Sequence, residues 1–159
     1  MSILAFCRWL AHTWLGVTMR DSTWAFAIVE IAHLLALAVF GGAVLLVDLR
    51  FLGLGLRTQS VSRVAREFLP ITGGTVTFMA ISGFLMVANG PVRCYFNPAF
   101  RLKIVLFLFA VVFHFAVQVW AARKEGKGEG PSLWLKPAAV LSLILWLGIG
   151  VAGRAIGYV

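Results

Sequence analysis

Residues 24–47 read WAFAIVEIAHLLALAVFGGAVLLV, and this stretch decides what kind of molecule the chain makes. As a helix rising about 1.5 Å per residue it forms a rod about 36 Å long, more than a hydrocarbon core about 30 Å thick requires. Its only ionisable side chains are Glu30 and His33. Three further stretches of the same kind follow at 68–88, 102–122 and 133–155. The 159-residue chain is 61% hydrophobic and 13% charged, with a mean hydropathy of +0.95. A soluble domain carries about 25% charged residues, so this excess of apolar surface exceeds what one small domain can bury, and lipid must solvate it.

Asn89-Gly90-Pro91 closes the second span, Asn97-Pro98 precedes the third, and 126–131 (GKGEGP) is a hydrophilic loop. Short connections make neighbouring spans antiparallel. The sequence therefore predicts an all-α, integral membrane four-helix bundle, up-down-up-down, forming one domain over 1–159. Asp21-Ser22-Thr23 offers N-caps for the first span. Ahead of it, Ile3, Phe6, Leu10 and Trp14 recur at helical spacing with Arg8 and His12 off the stripe. That pattern predicts an amphipathic helix over about residues 2–19, lying in the membrane interface.

The net charge of +8 comes from basic residues that flank the spans, where they anchor at lipid head groups; nucleic acid is not an expected partner. The connections after spans one and three hold Arg50, Arg57, Arg63, Arg66, Arg123, Lys124, Lys127 and Lys136, eight in all. The other side holds six: Arg8, Arg20, Arg93, Arg101, Lys103 and Arg154. This bias predicts both termini outside the cytoplasm. Cys7 and Cys94 fall on that outer side, either as two free thiols or as a disulfide if their Cα atoms come within about 7 Å.

An ionisable side chain inside the bilayer is a functional candidate. His33 is 9 residues after Trp24 and His114 is 12 after Leu102, about 14 and 18 Å along helices that run in the same direction. Placed on a bundle diagonal, the two imidazoles are expected at one level, where they could hold the iron of one haem b as axial ligands. Lys103 shares the His114 face and, with Arg101 and Arg20, could neutralise the propionates. The plainer alternative makes both histidines hydrogen-bonding glue between helices. Asp48 is expected to receive donors from the next loop, Arg50 to anchor at head groups, and Gln118 to bond between helices. No Gly-rich phosphate loop, nucleophile–base arrangement, CxxC pair or HExxH helix occurs, which leaves hydrolysis and nucleotide-driven pumping without a motif.

Trp24, Glu30-Ile31-Ala32-His33, Gly41 and Asp48-Leu49-Arg50-Phe51-Leu52-Gly53, followed by Asn97-Pro98-Ala99-Phe100-Arg101-Leu102-Lys103, resemble a family of small bacterial four-span proteins of unknown function. The resemblance covers most of the chain and implies a bacterial inner membrane. A looser likeness is to cytochrome b561-type four-helix bundles, which use two pairs of histidines; this chain has one intramembrane pair, His33 and His114. The leading expectation is a single-haem b-type subunit that relays electrons near the outer leaflet, with a periplasmic redox partner and quinone as its candidate partners. Such a chain would be an electron-transfer subunit rather than a self-sufficient enzyme. The alternatives are a cofactor-free accessory subunit of a larger membrane complex, and a proton-coupled transporter using Glu30 and His33. The absence of inverted repeats or a broken helix argues against the last.

Overall fold

The computed structural model describes residues 2–123 and 132–158, so the expected hydrophilic loop at 126–131 lies outside the described residues. Among them every element is helical: α1 (Ile3–His12), α2 (Trp14–Asp21), α3 (Ala25–Leu52), α4 (Val61–Asn89), α5 (Pro91–Phe96), α6 (Pro98–Arg123) and α7 (Leu135–Ala155). Four of these, α3, α4, α6 and α7, are long and apolar enough to cross a membrane. The expected all-helical four-span bundle is present.

Local chemistry sets the ends, and several lie outside the expected spans. The Ser22 hydroxyl accepts from the Ala25 amide at 3.2 Å and starts α3. Gly53 ends it with φ 79°, and the Gly53 and Leu54 amides return to the Arg50 and Leu49 carbonyls. A residue with a Cβ would be strained in that left-handed position. Asn97 caps α6 by accepting from the Phe100 amide at 3.0 Å. Pro98 occupies the first turn, where its missing N–H costs nothing. As a result α6 starts four residues before the expected Leu102.

The expected single interfacial helix is two. Thr13 is extended; its hydroxyl donates to the Leu10 carbonyl at 2.7 Å and accepts from the Gly16 amide at 3.3 Å. The Leu10 carbonyl sits so close to Gly16 that a Cβ there would clash. Leu10 and Met19, one from each arm, are buried against Ala88 at the top of α4.

α3 and α6 each pack against α4 and α7 but not along each other, so they stand on the diagonal. The end carrying α1, α2 and α5 is called the upper end here, and the end where α3 passes to α4 the lower. Val47, Phe51, Val64, Ala65, Ala121, Leu135 and Ala139 fill the lower core. Phe40, Val44, Val76 and Met79 fill the centre. Residues such as Leu35, Val105, Val112, Leu147 and Val151 are exposed, as a lipid-facing surface requires.

Candidate functional site: a polar chain inside the bundle

Three polar side chains from three helices meet in the core. Asp48 of α3 is 1% exposed, Ser142 of α7 is 3% and His114 of α6 is 3%. Ser142 Oγ is 3.5 Å from His114 Nδ1, the outer limit for a hydrogen bond, and the Asp48 carboxylate is its neighbour on α3. A serine has one proton to donate and lone pairs to accept with. The arrangement that serves most groups has His114 Nδ1–H donating to Ser142 Oγ and Ser142 O–H donating to Asp48.

Even so, the chain is incomplete. Asp48 Oδ2, His114 Nε2 and the nearby Trp146 Nε1 are buried without a hydrogen-bond partner. Each such group costs about 1–3 kcal/mol, and a charge costs more. Asp48 forms no ion pair among the described residues. Arg50, two residues on, is buried and turned away: its Nε donates to the Gln59 carbonyl at 2.8 Å and ties down the connection to α4. Neither residue takes its expected role. Asp48 looks into the bundle, and Arg50 holds the loop, because Phe40, Val44 and Asp48 fall on one helical stripe facing the core.

Below His114, Gln118 is fully enclosed. Its Oε1 accepts from Thr72 Oγ1 at 3.0 Å and its Nε2 donates to the Ala65 carbonyl at 3.2 Å. It is the interhelical hydrogen-bonding residue expected, and it locks α6 to α4.

His33 and His114 do not share a level. Phe40 is seven residues below His33 on α3, about 10 Å, and its ring meets His114 edge-on at 6.3 Å. A second route gives the same answer. His33 Nδ1 is 2.8 Å from Ser82 Oγ, and Ser82 is about 15 Å above Thr72 on α4, while His114 is only about 6 Å above Gln118 on α6. The early start of α6 explains the offset, since His114 is 16 residues from Pro98 and His33 only 8 from Ala25. Phe40 and Trp146, with ring centroids 4.6 Å apart, pack beside His114. One haem needs two imidazole nitrogens about 4 Å apart across its iron, and this packing does not present them. No group of three or more His, Cys, Asp or Glu with metal-site spacing occurs among the described residues.

Of the other expected site residues, Lys103 is half-buried with its ammonium against Gly153 of α7. Arg101 is exposed. Arg20 is exposed and pairs with Asp21 at 3.2 Å. Glu30 makes no hydrogen bond or ion pair among the described residues. Cys7 and Cys94 are free thiols. Burial pushes the Cys94 thiol up from its ordinary pKa, against the pull of Arg93 and with a further push from Cys7.

Ser142 and Trp146 were not singled out from sequence. The signal was available: Ala139, Ser142, Leu145, Ile149 and Ala152 are the buried stripe of α7, and Ser142 is its only hydroxyl.

A family model, described as a family of unknown function (DUF6644), matches residues 6–159. No curated protein and no solved structure matches the chain.

Proposed function

Since the chain belongs to the DUF6644 family, whose function is unknown, we propose from its geometry that it conducts protons through the lower half of the bundle. One observation carries this reading: a fully enclosed carboxylate without a cation, Asp48, has as its neighbour a single hydroxyl, Ser142, which lies 3.5 Å from an imidazole whose far nitrogen also lacks a partner. A proton arriving at His114 Nε2 makes an imidazolium. Its Nδ1 proton passes to Ser142 Oγ as the Ser142 proton passes to Asp48. The result is a neutral carboxylic acid and a neutral imidazole of the other tautomer, with the serine unchanged. Trp146 and Phe40 exclude water around the ring, which strengthens each step electrostatically. Asp48 is one turn from the lower end of α3, about 6 Å, which gives the proton a short exit. The eight-to-six bias of Lys and Arg supports periplasmic termini in a bacterial inner membrane, and so a cytoplasmic exit.

The test is proton flux into vesicles that enclose a pH-sensitive dye, driven by a potassium diffusion potential. The unsubstituted protein should acidify the lumen, and Asp48→Asn and His114→Ala should each reduce the rate about a hundredfold, the lower end of the range for removing a positioned proton-transfer group. Flux that survives Asp48→Asn contradicts the proposal.

A second reading, electron transfer through haem b, has one observation on its side. Each imidazole is fixed through Nδ1 to a serine, Ser82 or Ser142, and keeps Nε2 free, as a metal-ligating histidine does. It requires Phe40 and Trp146 to be displaced.

A further inference from the structure

The outer face of α6 carries a groove on the side away from the proton path. Phe115, Ala116, Val119, Trp120 and Arg123 recur at helical spacing and line a cavity of about 570 Å³. The buried stripe of the same helix, Ala110, His114, Gln118 and Ala121, points the other way, into the bundle. Ala116 is small and exposed, so the hollow opens toward lipid between the Phe115 and Trp120 rings. Trp120 stands edge-on against Trp134, just ahead of α7, with ring centroids 4.3 Å apart. Indoles favour the membrane–water interface, so this pair marks the head-group level at the lower end.

Arg123 lies one turn further down, among the lipid phosphates. It is the last residue of α6, about 12 Å below Phe115, and its side chain is exposed. No described acid pairs with it: Glu67 is taken by Arg63 at 2.7 Å, and Asp48 is enclosed in the bundle. The carbonyl end of a helix by itself repels an anion, so a negative group held here is held by the guanidinium. Within a bilayer the apolar part of the groove gives no choice among lipids, because one acyl chain replaces another. Discrimination rests on the charge at the mouth.

We propose that this groove binds one anionic phospholipid of the lower leaflet, with its phosphate on the Arg123 guanidinium and one acyl chain along Ala116 and Val119 between the two rings. A guanidinium offers a phosphate two parallel N–H donors. Phosphatidylglycerol brings a net negative charge to that fork, whereas the ammonium of phosphatidylcholine opposes it. The site does not depend on the proton path, and its test reads lipid rather than flux.

The experiment is native mass spectrometry of the full chain in detergent, titrated with phosphatidylglycerol and phosphatidylcholine of identical acyl chains. The first phosphatidylglycerol is expected to bind at least about tenfold more tightly than the first phosphatidylcholine, the least that a charge-assisted hydrogen bond contributes. Arg123→Gln should bring the two lipids level. Arg57→Gln removes another exposed arginine of the lower end, one bonded to the Gly53 carbonyl and outside the cavity, and should keep the preference. Ala116→Phe fills the hollow at a lipid-facing position and should weaken phosphatidylglycerol binding with the charge intact. A preference that is absent, survives Arg123→Gln, falls equally in Arg57→Gln or ignores Ala116→Phe overturns the proposal. So does a dimer that excludes phosphatidylglycerol and dissociates in Ala116→Phe, which would assign the groove to a second copy of the chain.

Discussion

Ser142 of α7 stands 3.5 Å from Nδ1 of His114 on α6 and neighbours the Asp48 carboxylate on α3, so one hydroxyl is set beside two ionisable groups on diagonal helices. Ser142→Ala should interrupt proton flux to the same extent as Asp48→Asn. It should also leave His114 Nδ1 without a partner and lower stability by about 1–3 kcal/mol. Vesicle flux and thermal unfolding in detergent measure the two effects. Undiminished flux in Ser142→Ala would remove the serine from the path.

The Thr72–Gln118–Ala65 contacts should behave as a structural lock. Gln118→Leu leaves Thr72 Oγ1 and the Ala65 carbonyl without the amide, at a cost of about 1–3 kcal/mol. Thr72 keeps its bonds to the Phe68 and Leu69 carbonyls at 3.1 Å, which favours the lower half of that range. Adding Thr72→Val to Gln118→Leu should then recover part of the loss, because both ends become apolar. Strict additivity in that double-mutant cycle would mean that the two side chains are not coupled.

Phe40 bears on the haem expectation. With Phe40 and Trp146 beside His114, purified protein reduced with dithionite should show no bis-histidine b-type spectrum. A stoichiometric spectrum lost in both His33→Ala and His114→Ala would establish the electron-transfer reading instead. Phe40→Ala should cost about 3–5 kcal/mol, since the hole it leaves is walled by other buried side chains.

Cys94 gives a pH dependence outside the spans. Its thiol pKa is raised by burial, so the reactive thiolate fraction at neutral pH is smaller than for an ordinary cysteine. Alkylation of Cys94 in a Cys7→Ser chain should be slower than that of a model thiol and rise about tenfold per pH unit until the raised pKa is passed. Removing Cys7 takes away one upward push, so the effect should be slightly smaller than in the intact pair. A rate at neutral pH equal to the model thiol would show that burial does not act on this group.

The four spans were legible because lipid imposes length and apolarity on any crossing helix, and residues 24–47 meet both demands. The inward faces were not legible by the same rule. In α3 the exposed Leu45 and Leu46 are as apolar as the buried Val44 and Val47, so hydrophobic periodicity carries no direction inside a bilayer. Direction lies in the rarer residues: Phe40, Val44 and Asp48 share a stripe, and Ser142 interrupts the stripe of α7. His114 lies deeper than the apolar run implies because Asn97 and Pro98 start α6 a full turn before that run begins. Asp48 follows the last valine of the run, where a span is expected to end, yet α3 continues to Leu52 and keeps it inside.

The most direct test is infrared difference spectroscopy of reconstituted protein as the pH is lowered, comparing the unsubstituted chain with Asp48→Asn. A carboxylate that accepts a proton in an enclosed, weakly hydrogen-bonded site gains a carboxylic C=O stretch at high frequency. The account predicts such a band in the unsubstituted protein, its loss in Asp48→Asn, and a shift of the pH at which it appears in His114→Ala. A band that persists in Asp48→Asn, or a titration indifferent to His114, would contradict the claim that these two residues exchange a proton through Ser142.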